Sequence, residues 1–487
     1  MSALGQDPGG LDPSFGDGGI VSTLIGTSAE AYAMAVQMDG RIVVGGQAEV
    51  SDSAVIAMVR YQPDGSLDST FGVDGVVSLD IGGASQTISA LLIQSDGKII
   101  AGGTDGLNFM AARFLANGAL DPGFGTAGMT ISDFGALSFL SALAFQPDGK
   151  IIGAGELDHL SCVARYSSNG TLDASFGVNG MVSTDIGLWD GAMGVAVEPN
   201  GRIVTCGHSS GAYAYARYDV DGGLDPDFGD GSDGMLIVDP PGAAGTPVAI
   251  ALQPDGKIIS AGYSGGDFCA VRLNADGLPD PGFGGSEGTV LVSVGTSNGQ
   301  VGAMALQPDG RILIGGKALY VNSSYTLLRL NSDGGLDGTF GSDGVVHTDL
   351  GEGISKITAL CLQPDHRFLA TGSHAGGEPT TFTTVRYFMG PMVGVEEVPA
   401  VFNSASLFPM PAGDRLTLTL TCEVPVRLSA ELLDGHGRSL CPAIRDVHLE
   451  SGRHNLPVEL GKSLAPGLYF LRLHDGMAQR SLRVVKW

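Results

Sequence analysis

The chain has 487 residues, a formal net charge of −26 and 77 glycines. That charge repels nucleic acid and anionic membrane surfaces, and no apolar run reaches the length of a transmembrane helix. Abundant glycine with 43% hydrophobic residues predicts a folded chain of many short strands joined by tight turns rather than long helices.

At the start, residues 1–10 read "MSALGQDPGG". Ala3-Leu4-Gly5 sets small residues two apart just before Gln6, as the end of a cleaved secretory signal does. We therefore expect a leader upstream of Met1.

A repeat begins at Leu11. Its first element, "LDxxFG", recurs from Leu67, Leu120, Leu172, Leu224 and Leu336, with "PDPGFG" from Pro279 as a variant. Its second is an Asp-Gly-Lys/Arg turn at Asp39, Asp96, Asp148, Asp255 and Asp309, varied to Asn200-Gly201-Arg202 and Asp365-His366-Arg367. Its third is an arginine: Arg60, Arg113, Arg165, Arg217, Arg272, Arg329 and Arg386. Each element counts to seven, and successive LDxxFG phenylalanines stand 52 to 57 residues apart.

Each repeat predicts four strands. The first is short, as in "GMVSTDI" at 180–186. The second, "LSALAFQ" at 140–146, is apolar on both faces. Asp-Gly is expected to make a two-residue hairpin turn. "KIIGAG" and "CVARY" come next, closed by the next LDxxFG. Four antiparallel strands repeated seven times predict a seven-bladed β-propeller, all-β, because radial repetition leaves only short protected edges. The three spaced elements together resemble the delta-sixty repeat family over residues 11–388. The second and third strands are also similar to WD-repeat propellers, which implies that "LSALAFQ" is the innermost strand. Residues 19–25 are then expected to supply the outer strand of the blade whose other strands lie in 357–388, so that the N-terminal strand closes the ring.

A substrate has no seven-fold symmetry, so the repeated residues are expected to be structural. We expect each strand-four arginine to pair in a bidentate fork with an LDxxFG aspartate (Asp12, Asp68, Asp121, Asp173, Asp225, Asp280 or Asp337). The Asp-rich loops, densest at Asp225, Asp227, Asp230 and Asp233, lack the ligand run of calcium-binding loops. No metal or cofactor is expected. Cys162, Cys206, Cys269 and Cys361 read as small buried hydrophobes. Cys422 and Cys441 are candidates for a disulfide.

Asp-Gly turns and LDxxFG connections fall on one face and stay nearly constant. The other face collects loops that vary widely, and binding residues concentrate on such loops. Candidates there are Asp105, Asp158, His159, Trp189, Asp190, His208, Tyr213, Tyr263, Asp267, Tyr320 and His374. Trp189, between glycines in a loop, suits stacking on a sugar or anchoring a partner; the competing reading is a cover for the blade edge. His159, His208 and His374 occupy matching positions in three repeats, without the spacing of metal ligands.

Residues 389–404 carry the Pro, Gly and Ser of a linker. Beyond them "RLTLTLT" and "VRLSAELL" alternate as half-buried strands do, and "GLYFLRLHDGMAQRSLRVVKW" reads as a hairpin about Asp475-Gly476. These strands predict a small Ig-like β-sandwich at 405–487. Pro409-Met410-Pro411-Ala412, Asp434 with Gly437-Arg438, the "LAPGLYFLRL" run with Gly467 and Tyr469, and Lys486 resemble the C-terminal sorting domain of the Por, or type IX, secretion system. Met410 replaces the Asn of that family's motif. The resemblance implies export across a Gram-negative outer membrane, with the secretion machinery as a partner. We therefore expect a monomeric, secreted or surface-displayed propeller that binds a glycan or protein without catalysis. The alternatives are an extracellular polysaccharide hydrolase or lyase, and a structural component of the envelope. A glycosidase needs two carboxylates about 5–10 Å apart, and no spacing in the variable loops marks such a pair.

Overall fold

The computed structural model describes residues 7–231, 233–242, 244–285, 287–295, 299–319, 323–376, 379–390, 402–408, 415–422, 425–433, 439–460, 467–474 and 479–486. Contacts divide the chain into two units, Met1–Gly390 and Pro391–Trp487.

The first unit contains seven four-stranded antiparallel sheets, the blades of a β-propeller. The third blade is typical. Its inner strand Ser138–Phe145 pairs with Ile151–Leu157, then Leu160–Tyr166, then the short outer strand Met181–Thr184. In the last blade the outer strand is Ile20–Thr23, paired with Phe382–Val385 within Thr381–Phe388. Seven hydrophobic clusters fill the seams, one between each pair of neighbouring blades; one of them joins Phe15, Ala29 and Ile42 of the first repeat to Leu369 and Phe382 of the last.

The repeated residues lock these seams. Each strand-four arginine donates from Nε to Oδ2 of its aspartate at 2.7–2.8 Å. Its Nη1 goes elsewhere, to a turn carbonyl of the next blade: Arg113 reaches Ser168 O at 2.7 Å, and Arg386 reaches Pro63 O of the first blade. The expected bidentate fork is thus replaced by a bridge between blades. The guanidinium carbon lies 4.5–5.0 Å from the centroid of the LDxxFG phenylalanine. The other aspartate oxygen accepts the N–H two residues on, as from Gly123 to Asp121 at 2.9 Å.

The basic residue of each Asp-Gly turn joins the same carboxylate: Lys150 lies 2.9 Å from Asp173, Lys257 2.9 Å from Asp280, and Arg367 2.6 Å from Asp12. Each LDxxFG aspartate therefore serves two cations. Burial pushes the Asp280 carboxyl up, but Lys257, the Gly282 N–H and Arg272 outweigh it and hold the group down to about 2. At Asp225, one of the densest Asp loops, Arg217 and Arg202 occupy one carboxylate oxygen and the Asp227 N–H the other.

The Asp-Gly turn differs from expectation. It spans three residues, with only its glycine in the left-handed region, as at Gly149 with φ 84°; the aspartate keeps negative φ and accepts the N–H two residues on. Two-residue turns with both φ positive lie at the other end, as at Asp158-His159 with φ 48° and 67°.

Burial pushes the Cys162 and Cys269 thiols up to about 12 and Cys361 up to about 11. Cys422, a candidate for a disulfide with Cys441, is a buried free thiol.

In the second unit, a three-stranded sheet (Phe402–Phe408, Arg415–Cys422, Gly452–Glu459) and a four-stranded sheet (Ser439–Leu449, Val426–Leu433, Gly467–His474, Gln479–Lys486) share one core. Leu416, Leu418 and Leu420 enter it from one sheet and Leu428, Leu471 and Val484 from the other, as the alternating pattern requires. No helix among the described residues is long and apolar enough to cross a membrane.

Candidate functional site

Every inner strand carries a β-bulge at the same place, between Ala31 and Ala33 in the first blade and between Ile357 and Ala359 in the last. Opposite it, the strand paired with the inner strand, as Ile151–Leu157 in the third blade, always has glycine. A Cβ on Gly207 would stand 1.8 Å from Gly191 O, and one on Gly372 1.8 Å from Lys356 O. This close approach fixes the register of the strand pair beyond the bulge.

The residue after that glycine, with its partner on the inner strand, forms a ring at the variable end of the propeller. The pairs are Glu30 with Gln47, Thr87 with Thr104, Phe139 with Glu156, Gly191 with His208, Thr246 with Tyr263, Gln300 with Lys317, and Lys356 with Ser373. One backbone position thus presents seven different polar side chains: Gln, Thr, Glu, His, Tyr, Lys and Ser. The strand ladder repeats, but the chemistry does not.

Neighbouring members touch across the seams. Thr87 Oγ1 donates to Gln47 Oε1 at 2.8 Å, and Gln47 Nε2 donates to Tyr32 Oη at 3.2 Å. The Tyr32 hydroxyl donates in turn to the Glu30 carboxylate. Burial, and then Glu30, push that phenol well above its ordinary value.

At the seam of the third and fourth blades, a Cβ on Gly191 would lie 3.0 Å from His208 Cε1 and 3.2 Å from Glu156 Oε2. The other Glu156 oxygen lies 3.0 Å from His159 Nδ1. The His159 ring meets Trp189 at 4.3 Å between centroids. Trp189 is 66% exposed and held at φ 60°, a conformation an aromatic residue rarely adopts. Beneath it Asp190, 1% exposed, fixes the loop: one oxygen accepts the N–H groups of Ile186 and Gly187 at 2.7 and 2.9 Å, and its own N–H donates to His159 O at 2.8 Å. The second Asp190 oxygen and His208 Nδ1 are buried without a partner among the described residues.

Asp158, His159, Trp189, Asp190 and His208 are therefore brought together, and Tyr263 lies on the next part of the ring. Tyr213 is not at a surface. It is fully buried on Ala212–Tyr218, the strand that carries Arg217, with its ring beside Gly245 and its hydroxyl beside Gly262 of the fifth blade. His374 lies one residue beyond the ring on the last blade, bonded to Ser355 at 2.8 Å. His374 thus sits on the seventh blade, apart from His159 and His208 at the seam of the third and fourth, and the three do not form one cluster. Asp105 caps its own turn by accepting the Leu107 and Asn108 N–H groups, and Asp267 is half-buried at the foot of a hairpin. Glu30, Tyr32, Gln47, Glu156, Lys317 and Lys356 escaped the sequence reading, although Gln47, Glu156 and Lys317 each stand directly after the repeated glycine, where the residue varies from blade to blade.

Of the sorting residues, Gly467 pairs with Lys486 in the final hairpin, and Tyr469 packs against the core. Pro409, Pro411, Asp434 and Gly437 lie outside the described residues, as do Ala3-Leu4-Gly5 and Tyr320.

A family model described as "Domain of unknown function (DUF5122) beta-propeller" matches residues 37–71, 94–124, 146–176, 253–283 and 307–340. Each stretch runs from an Asp-Gly turn to the next LDxxFG phenylalanine. No curated protein sequence matches the chain. Among solved structures, "YCF48 bound to D1 peptide" is 10% identical, covering 77% of this chain and 97% of that one with a TM-score of 0.41. A protein from Lactobacillus plantarum is 12% identical, covering 85% and 99%, with a TM-score of 0.41. A structure of the polysaccharide lyase PL25 ulvan lyase is 12% identical, covering 76% and 96%, with a TM-score of 0.37.

Proposed function

We propose that the protein is an exported binding module. Its propeller presents the asymmetric ring to a glycan or protein partner, and residues 405–487 serve as a type IX sorting domain that brings it outside the cell or to the outer-membrane surface. The observation that carries the binding reading is the ring: one symmetry-equivalent position bears seven different side chains. Structure alone needs no such variety, since the blade locks repeat unchanged at the other end. An exposed Trp189 in a strained conformation supports the same reading, because strain of this kind persists where surrounding contacts hold it and often marks a binding site.

The test is a glycan array probed with the full chain, with a surface-protein pull-down in parallel. Retention by a narrow set of related ligands, lost in Trp189→Ala, is the expected result; an indiscriminate pattern counts against it. For export, with a secretory leader fused ahead of both, a chain ending at 404 should stay in the periplasm while the full chain leaves the cell. The second reading, a hydrolase or lyase, is supported by two carboxylates in the ring, Glu30 and Glu156, with Glu156 beside His159. Chromatography of the retained glycan after incubation separates the two, with intact ligand expected.

A further inference from the structure

Residues 1–390 contain sixteen lysines and arginines. Fourteen form the two rings of blade locks at the constant end. The two left over are Lys317 and Lys356, and both lie in the ring at the variable end.

They are also neighbours. The residue after the repeated glycine of one blade lies against the inner-strand residue of the next, as Gln47 meets Thr87 at 2.8 Å and Glu156 lies beside Gly191. At the seam of the sixth and seventh blades that relation brings Lys317 to Lys356. Burial and the Lys317 charge both push the Lys356 ammonium below its ordinary value, and Glu30 pulls the other way. Two ammonium groups and one carboxylate leave the cluster positive, on a chain whose net charge is −26. Packing two like charges together costs stability, and the blade locks do not use either of them.

We propose that Lys317 and Lys356 form an anion-binding subsite of the ring, and that its ligand is an acidic oligosaccharide whose carboxylate or sulfate seats between the two ammonium groups. This rests on the reading of the ring as the binding site. The neighbouring ring residues Gln300, Gln47 and Tyr263 suit sugar hydroxyls, and Trp189 offers a flat apolar face.

Calorimetry on the full chain tests this with four probes: an oligogalacturonate, a sulfated galacto-oligosaccharide, a neutral cello-oligosaccharide and a glutamate-rich peptide. One of the two acidic sugars should bind best, and which one identifies the anion as carboxylate or sulfate. The double variant Lys317→Gln/Lys356→Gln should weaken that binding at least about tenfold, as losing charge-assisted hydrogen bonds does, and leave any neutral-sugar binding unchanged. Its melting temperature should hold or rise. Should the double variant fail to fold, Lys317→Gln carries the test, with Lys317→Arg as the variant that keeps the charge. Equal binding of neutral and acidic sugars, lost in Trp189→Ala but not in the lysine variant, overturns the anion subsite and leaves the ring as the binding site. Binding that neither variant changes overturns the ring itself. Preference for the peptide overturns the carbohydrate assignment, and no binding of any probe overturns the proposal.

Discussion

At the constant end of the propeller every blade carries the same aspartate, the same strand-four arginine and a second cation. At the variable end the equivalent strand positions carry seven different residues. The two ends belong to the same strands, yet they answer to different demands. A lock must repeat because every seam has the same geometry. A ligand with no seven-fold symmetry can only be held by groups that differ from blade to blade. Charge is divided accordingly: the cations serve the seams, except for two lysines.

This contrast predicts large stability effects at one end and small ones at the other. Deleting residues 1–25 removes Ile20–Thr23, Phe15 and Asp12 from the seam of the first and last blades, and should cost more than about 5 kcal/mol. Urea unfolding in which the deleted chain matches the full one would break the comparison at its strongest point. Arg113→Ala removes the bridge to Ser168 and one of the two cations on Asp121. It should destabilise by about 3 kcal/mol; an unchanged unfolding midpoint would show that the arginine ring is not a lock.

The same ring sets the acid limit. A carboxylate whose folded pKa lies below its unfolded value of about 3.9 contributes stability above that value and loses it as pH falls through the folded one. With Asp280 held down to about 2, and Asp173 lower still under Ser175 and Lys150, stability should be steady above about pH 4 and fall steeply between about 4 and 2. Urea midpoints across that range check it. Flat stability through this window would mean that the locks contribute little.

Smaller effects sharpen the contrast. Gly149 sits at φ 84° with open space where a Cβ would go, so Gly149→Ala meets only backbone strain and should cost about 1 kcal/mol. Ligand affinity per folded molecule should not move. Trp189→Ala should change stability by less than about 0.5 kcal/mol, as exposed substitutions do, while weakening binding about tenfold or more. Affinity lost at Gly149 and kept at Trp189 would reverse the assignment of the two ends.

Sequence alone determined the propeller and the arginine–aspartate pairing of its locks; the second cation on each aspartate and the arginine's reach to the next blade came only from the structure. LDxxFG, Asp-Gly-Lys/Arg and the strand-four arginine are local signals that recur seven times, and repetition turns a weak local preference into a strong one. Alternation placed the leucines of Arg415–Cys422 in the core of the second unit for the same local reason. The turn type was not legible, because Asp-Gly suits both the two-residue hairpin and the three-residue turn observed. Tyr213 looked like a loop residue, yet Gly245 and Gly262 of the next blade leave room for its ring and bury it. The ring was half legible: the residue after the repeated glycine can be read in every repeat, as Gln47, Thr104, Glu156, His208, Tyr263, Lys317 and Ser373. The contacts of those side chains were decided by tertiary structure alone. Lys317 and Lys356 are 39 residues apart in the chain, on separate strands of separate blades. Only the bulge, the glycine-set register and the packing of one blade on the next bring their charges together.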